Sequence, residues 1–547
     1  MDNQKIAKKQ TTEKKWTIKR IAQVLIFLML SFFVTTGAKV HFGGIVWGKL
    51  DINYIESFQL KDIFVFIITF VLFYSAFVVV KKYYKKTQGF LVSKESYKIK
   101  PIYIWLIATA IILVAWLPYI LSFAPGSVLG DSFSSIEQIY SGHFSNHHPV
   151  AYTLLVGVFV KIGHLLENIN IGIFLYSIFQ SIILAGTLGY IITFLAKRMV
   201  KPIPLAIATG FFAIFPVFPS YAIIMWKDPI FSVFLLLLGL LLYSFAERGF
   251  IHNIKRRDYL LLIFMVLGVA FFRNNGLFIL IPLVLSLLLL FKKSALKVFS
   301  IMSITILVSL IIQGPIYSAL KIHKPSVEAL SIPIQQIAYV VSVDPDVFSD
   351  EEKDFLNNIM PFDIWKESYT PVLVDNIKWH ESFNTSFFES HLPSFMKLWF
   401  KKLPKEFGNY VNAYLLETLG FWHPYYQNEY GYIDQYILDN DYGIHEIDLI
   451  KKTTGVSIKE KLEAFRPMVG SGFMVFVMFV SLVLSLEFQK KKVLVLYLAS
   501  ALCWLIIMIS TPAAFSLRYI FVLPLSLPIF VFCPFFRIQN AKKTPKK

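Results

Sequence analysis

The chain has 547 residues, of which 56% are hydrophobic and 16% charged, with a formal net charge of +18 and a mean hydropathy of +0.60. A soluble chain of this length has no interior large enough to hide that much apolar surface. The composition therefore excludes an ordinary soluble enzyme and points to a bilayer, where about 20 apolar residues cross the hydrocarbon core.

Seven Lys/Arg fall within the first 20 residues, ahead of an apolar run from Ile21 that lacks a small-residue cleavage site; the run reads as a retained anchor, not a signal peptide. Further apolar runs predict about twelve spanning helices, near 21–40, 62–80, 101–123, 171–195, 203–224, 229–246, 259–272, 276–291, 297–319, 467–487, 493–510 and 515–537. Basic clusters assign the sides, because Lys and Arg are retained in cytoplasmic loops. The N-terminus, 81–100, 197–201, 248–257, 292–297, 490–492 and the C-terminal tail are expected inside; 41–61, 124–170, 225–228, 273–275, 320–466 and 511–514 are expected outside. This placement of the positive excess gives no argument for a nucleic-acid partner.

Residues 149–166 are apolar enough to span. As a span, however, they would put Lys197, Arg198 and Lys201 outside and reverse every later cluster. They are expected instead to lie on, or dip into, the outer interface. Residues 321–465 hold 22 of the 35 Asp/Glu against 13 Lys/Arg, a net −9, with helices expected near 351–360 and 385–420. Cys503 and Cys533 both sit in apolar runs, which leaves no disulfide framework outside. The expected architecture is an all-α polytopic membrane protein with a mainly α exterior domain. It comprises a basic N-terminus with two accessory spans (1–100), a catalytic transmembrane module with the exterior loop 124–170 (101–320), the exterior domain (321–466), and C-terminal spans with a basic tail (467–547).

Two carboxylates outside the exterior domain stand apart from basic clusters. Asp131 lies in APGSVLGDSF, ahead of Glu137 and of Asn146-His147-His148-Pro149; Asp228 lies in MWKDP. Both fall at outer ends of spans, where a carboxylate is costly unless paired, hydrated or used. Asp131 is either a cap on a following helix or a general base that takes a proton from an acceptor hydroxyl. Asp228 reads as the cap of a helix, with Pro229 at the first helical position and Lys227 as an interface anchor, and, compatibly with that, as a second carboxylate that orients the acceptor or the base. His147 and His148 suit a phosphate, a metal or a polar interface. As sequence neighbours they point apart, a weak metal signal, so no metal ligands are assigned and a divalent cation stays open. Arg273-Asn274-Asn275-Gly276 is either an ordinary turn or a phosphate grip by bidentate bonds. Arg518 is a second phosphate candidate, on a side where positive charge is usually avoided.

These residues, in this order, resemble the glycosyltransferase C superfamily, polytopic enzymes that take a sugar from a polyprenyl-phosphate donor at the outer membrane face. The family pattern of an early exterior Asp, a Pro-containing juxtamembrane helix and a second Asp opening a later span looks like Asp131, His148-Pro149 with 149–166, and Asp228. NHHPVAYTLL, MWKDP, FRNNG, SIPIQQIA, ETLGFWHP and SLRYIF are similar to an uncharacterised Gram-positive bacterial branch, over roughly residues 100 to 535. The chain departs from better-studied members by two extra N-terminal spans and by an exterior domain placed before the last three spans. The resemblance implies Asp131 as catalytic base and Asp228 as its assistant. Glu137, His147, His148, Lys227, Arg273, Asn274 and Arg518 would bind donor or substrate, and the amides of Gln335 and Gln336 would read sugar hydroxyls. It further implies inverting transfer to a cell-envelope acceptor: a wall polysaccharide, a teichoic acid or a glycolipid. The rivals are a flippase or transporter of lipid-linked sugars, and a polysaccharide polymerase or ligase.

Overall fold

The computed structural model describes residues 2–43, 53–250, 254–322, 327–424, 435–465, 470–510 and 513–537. The C-terminal basic tail, the side chains of 2–17 and parts of the loops 41–61 and 511–514 lie outside the described residues. Among the described residues the fold is all-α, apart from one small antiparallel hairpin that pairs Val40–Phe42 with Asn53–Ile55.

Eight described helices are long and apolar enough to cross a membrane, and nine if the bent pair Pro202–Ile214 and Val217–Ile223 is one span. The 49° bend of that pair falls at Phe215-Pro216, where proline has no N–H to continue the helical ladder. The expected spans at 259–272 and 515–537 correspond to helices outside that group, Arg256–Phe272 (17 residues) and Val522–Phe532 (11 residues). The runs 276–291 and 297–319 join as one helical stretch, Gly276–Ala319. It breaks at Lys292, whose φ is +52°, and its arms Gly276–Phe291 and Leu296–Ile311 pack on each other and on Arg256–Phe272.

Pairing sorts the helix ends. Lys19 and Lys81 meet Glu487 at 3.0 and 2.7 Å, and Arg198 meets Glu247 at 2.6 Å. Arg537 donates to the Ser93 carbonyl at 2.7 Å, Ser93 N–H to Met199 at 2.7 Å, and Lys491 to Leu290 at 2.6 Å. The basic clusters joined by these bonds thus share one end of the bundle. Asp131, Lys227, Arg273 and Arg518 gather elsewhere, as the ion pairs below show.

Residues 149–166 form Val150–Leu165, a 16-residue helix packed on Ile169–Lys197 and Gly130–Ser141. Its approach to Ile169–Lys197 is close enough that a Cβ on Gly172 would collide with the Phe159 carbonyl.

The acidic segment folds around its own core, with Trp365, Tyr369, Phe388, Phe395 and Tyr410 buried. Its helices include Asp350–Ile359 and Thr385–Ser390, Leu392–Lys402 and Phe407–Glu417, where helical stretches were expected. Ser349 and Glu352 begin the first of these with a reciprocal pair of bonds at 3.4 and 2.9 Å, which satisfies two otherwise orphaned N–H groups. Three isolated backbone pairings stitch the segment to the bundle: Ala124 with Ile447, Val128 with Ile437, and Leu373 with Ala513.

A candidate active site of opposed charges

The loop ahead of Asp131 is stitched to the segment ahead of Lys227. Ser127 N–H donates to the Ile223 carbonyl and Met225 N–H to that of Ser127, both at 3.0 Å. Gln180 donates its amide towards the carbonyls of Tyr221, Ala222 and Ile224 at 2.9, 3.2 and 2.6 Å. Ser132 Oγ donates to the Met225 carbonyl at 2.6 Å. The helices Gly130–Ser141 and Lys227–Glu247 therefore start side by side, and their first turns carry Asp131 and Lys227-Asp228.

Asp131 does not cap its helix. Its Oδ2 receives both Lys227 Nζ and Arg518 Nη1 at 3.0 Å. Lys227 also reaches His148 Nδ1 at 3.0 Å. An ammonium can only donate, so Nδ1 is the acceptor and the neutral imidazole keeps its proton on Nε2. Arg518 donates to the Tyr519 hydroxyl at 3.1 Å and lies 4.6 Å from the centre of the Trp226 ring, a cation–π contact.

A second pair lies deeper. Arg273 Nη1 meets Asp228 Oδ1 at 3.0 Å and donates to the Tyr519 carbonyl at 3.0 Å. Asp228 is 1% exposed, and neither of its oxygens accepts a well-aligned hydrogen bond among the described residues. The Arg273 turn closes through Gly276 N–H to the Arg273 carbonyl at 2.9 Å. A side chain at Gly276 would strike the Val269 carbonyl, so the turn requires glycine. Asn274 donates to the carbonyls of Asn146 and His147 at 2.8 and 3.1 Å, tying FRNNG to NHHP.

Burial alone would raise the Asp131 carboxyl, but Lys227, Arg518 and His148 outweigh it and hold it well below the usual carboxylate range. Burial, then the Lys227 ammonium, push His148 down to about 2, so its imidazole is neutral at physiological pH. The unfolded His148 titrates near 6.5. As pH falls below that value, the unfolded chain takes up a proton that the folded site refuses, so stability drops. Asp131 acts in the same direction but in a lower window: its stabilisation is complete at neutral pH and is lost as pH falls below the ordinary carboxylate value towards its depressed folded one. The melting temperature of the detergent-solubilised chain should therefore fall from pH 6.5 to 5, and His148→Gln should flatten that slope. An unchanged slope in His148→Gln would mean that the folded site protonates His148 as readily as the unfolded chain does.

Three expected binding residues sit elsewhere. Glu137 is exposed; six residues beyond Asp131, it points about 240° round the helix from it. Gln335 and Gln336 are buried inside the acidic domain. Gln335 donates to Thr370 at 2.5 Å and Gln336 to Tyr410 at 3.0 Å, while Gln336 accepts from Trp399 at 2.8 Å; both brace the domain core. His147 joins only the rim, its ring 4.4 Å from His148. Trp226, which the sequence did not mark, belongs to the site, as does Tyr519, the neighbour of Arg518. Each adjoins a cationic residue in a motif, and that adjacency was the available signal. Among the described residues no group of three His, Cys, Asp or Glu is arranged to hold a metal ion.

In sum of charge, Lys227, Arg273 and Arg518 face Asp131 and Asp228. The surplus cation suits an anionic ligand, and the two carboxylates suit one that also carries hydroxyls. Residues 138–547, well over half of the chain, match the model of a family of unknown function, DUF6020; the match takes in Lys227, Asp228, Arg273 and Arg518 and begins just after Asp131. No curated protein and no solved structure matches the chain.

Proposed function

We propose a function for a chain that belongs to the DUF6020 family: a membrane glycosyltransferase of the C type, which moves a sugar from a polyprenyl-phosphate donor to a cell-envelope acceptor at the outer face. The observation that carries this reading is the single Asp131 oxygen held by both Lys227 and Arg518, beside an Asp228–Arg273 pair. Charge patterning supports the orientation, since the basic clusters share one end and cytoplasmic loops keep Lys and Arg. On this reading Val150–Leu165 lies at the outer interface, because as a span it would carry Lys197, Arg198 and Lys201 to the outer side. The arms of Gly276–Ala319 cross separately, and the short helices Arg256–Phe272 and Val522–Phe532 bring the count towards twelve.

The acceptor oxygen attacks the anomeric carbon from the face opposite the phosphate. The new C–O bond forms as the bond from carbon to phosphate oxygen breaks. The electron pair leaves with the polyprenyl phosphate, and the acceptor proton passes to Asp131. The leaving group is already anionic, so positive charge rather than a strong acid stabilises its departure. Arg518, 19% exposed against 8% for Arg273, is the more accessible of the two arginines.

A carboxylate clamped by two cations is a poor base. The donor phosphate competes for those cations, and in drawing Lys227 and Arg518 to itself it releases Asp131 and raises its proton affinity. The donor therefore binds first. The test is turnover of a polyprenyl-phosphate sugar by purified protein against an extract of cell-envelope polymers. Release of polyprenyl phosphate with sugar on the polymer supports the reading. A protein that moves the lipid across vesicles and never cleaves it overturns the reading in favour of a flippase.

The orientation has its own measurement. Ser96 and Ser382 are exposed, whereas Cys503 and Cys533 are buried. A membrane-impermeant thiol reagent on whole cells should label Ser382→Cys and spare Ser96→Cys. The reverse pattern would invert the topology.

A further inference from the structure

One segment of the acidic domain runs from the Arg518 side of the cluster to the His148 side. Leu373 pairs with Ala513, and Ala514 N–H donates to the Val372 carbonyl at 3.0 Å. The short helix Asp375–Lys378 is thereby fastened to the stretch that leads into Arg518. The charge of Asp375 acts on Tyr519, which accepts from Arg518. The next residue, Trp379, sets its ring 5.4 Å from that of His147, at 82°; His147 in turn packs on His148, the partner of Lys227.

Trp379 is 55% exposed, whereas Trp116, Trp365 and Trp422 are fully buried. Leaving a large aromatic surface in water is costly unless something covers it. Asp375 lies four residues earlier, one helical turn away; its Oδ1 is buried against Lys378 at 2.9 Å, while its side chain as a whole is 35% exposed. An open indole beside a carboxylate, at the rim of a charged site, matches the two-sided surface of a pyranose. Its C–H face is apolar and its hydroxyl edge is polar.

We propose that Trp379 and Asp375 form the acceptor subsite and that the acceptor enters it as a pyranose, stacked on the indole with hydroxyls donated to Asp375. This rests on the transferase reading and assigns the acceptor class: a sugar residue of a polymer or glycolipid, rather than a protein side chain or a bare polyol. An unsubstituted hydroxyl of that ring is then directed towards Asp131.

Saturation-transfer NMR on the detergent-solubilised full chain tests it. The probes are methyl glucopyranoside, methyl galactopyranoside, methyl mannopyranoside and methyl N-acetylglucosaminide. At least one should receive saturation, mainly on one ring face. Trp379→Ala should weaken that signal about tenfold, the size of a lost aromatic stacking contact, and Trp379→Phe should restore most of it. No signal from any probe in the wild type overturns the subsite. So does a wild-type signal in Trp379→Ala, the result if the indole only anchors the domain at the lipid interface. The two readings separate because this measurement needs no turnover. Probe binding that depends on Trp379, in a protein that never transfers sugar, leaves a sugar-binding site and removes the enzyme. Transfer with unchanged acceptor kinetics in Trp379→Ala removes the subsite alone.

Discussion

Replacing Asp131 by Asn should lower sugar transfer by about 10²–10⁴-fold, the usual scale for loss of a general base, while the donor binds at least as tightly as before. Both halves of that result follow from the geometry. Asn keeps the shape of the side chain but cannot take the acceptor proton. It also withdraws the negative charge that holds Lys227 and Arg518, and so removes the donor phosphate's competitor. Lys227 and Arg518 remain partly exposed, so water screens them and folding should survive. Titration of purified variant with a polyprenyl-phosphate sugar, alongside single-turnover transfer, separates the effects. Tighter binding with lost turnover fits a base released by the donor. Wild-type turnover would reduce Asp131 to a counter-ion.

Asp228→Ala should be the most damaging single change to the fold near the site, at about 3–5 kcal/mol, because it leaves a buried guanidinium without its counter-charge. Arg273 is 8% exposed; it pairs with Asp228, donates to the Tyr519 carbonyl and lies over the rings of Phe231 and Tyr519, and of these only Asp228 carries a counter-charge. The double change Asp228→Leu with Arg273→Met should recover much of that stability, since an apolar pair of similar volume often replaces a buried ion pair without loss. Activity should not recover with it if Arg273 adds positive charge behind the departing phosphate. Arg273→Lys should also impair transfer although charge is kept, because a compact ammonium cannot reproduce the planar guanidinium that sets Nη1 on Asp228 and the Tyr519 carbonyl while lying over the Phe231 and Tyr519 rings. Thermal unfolding in detergent and transfer assays on the same preparations check all three. A double variant that is both stable and active would confine the pair to structure.

The resemblance stated from motifs and the geometry bear on different questions. MWKDP, FRNNG and SLRYIF were legible as separate signals because each sets a charged residue at the end of an apolar run, where charge is conspicuous. The ion pairs join the three to Asp131. SIPIQQIA is conspicuous for two uncharged amides within an apolar stretch and belongs to something else: its glutamines close hydrogen bonds inside a domain core. A polar residue within an apolar stretch signals that a partner exists. It does not say whether the partner is a ligand or a neighbouring carbonyl.

By itself the sequence determined the all-α class, the basic clusters that meet at one end, the acidic domain with its helices, and the two carboxylates at helix starts. These follow from local quantities: the length of an apolar run, the spacing of charges, the residue types in a first turn. Tertiary structure alone decided that Asp131 is clamped rather than capping, that Arg273 serves Asp228 while Arg518 serves Asp131, and that Glu137, Gln335 and Gln336 lie away from the cluster. It also decided that Trp379, which no motif marked, stands at the rim. Ion pairs and ring contacts between residues hundreds of positions apart depend on which helix ends pack side by side. That choice is made by close fits such as Gly172 against Phe159 and by backbone pairings such as Ser127 with Ile224, which leave no periodic trace along the chain.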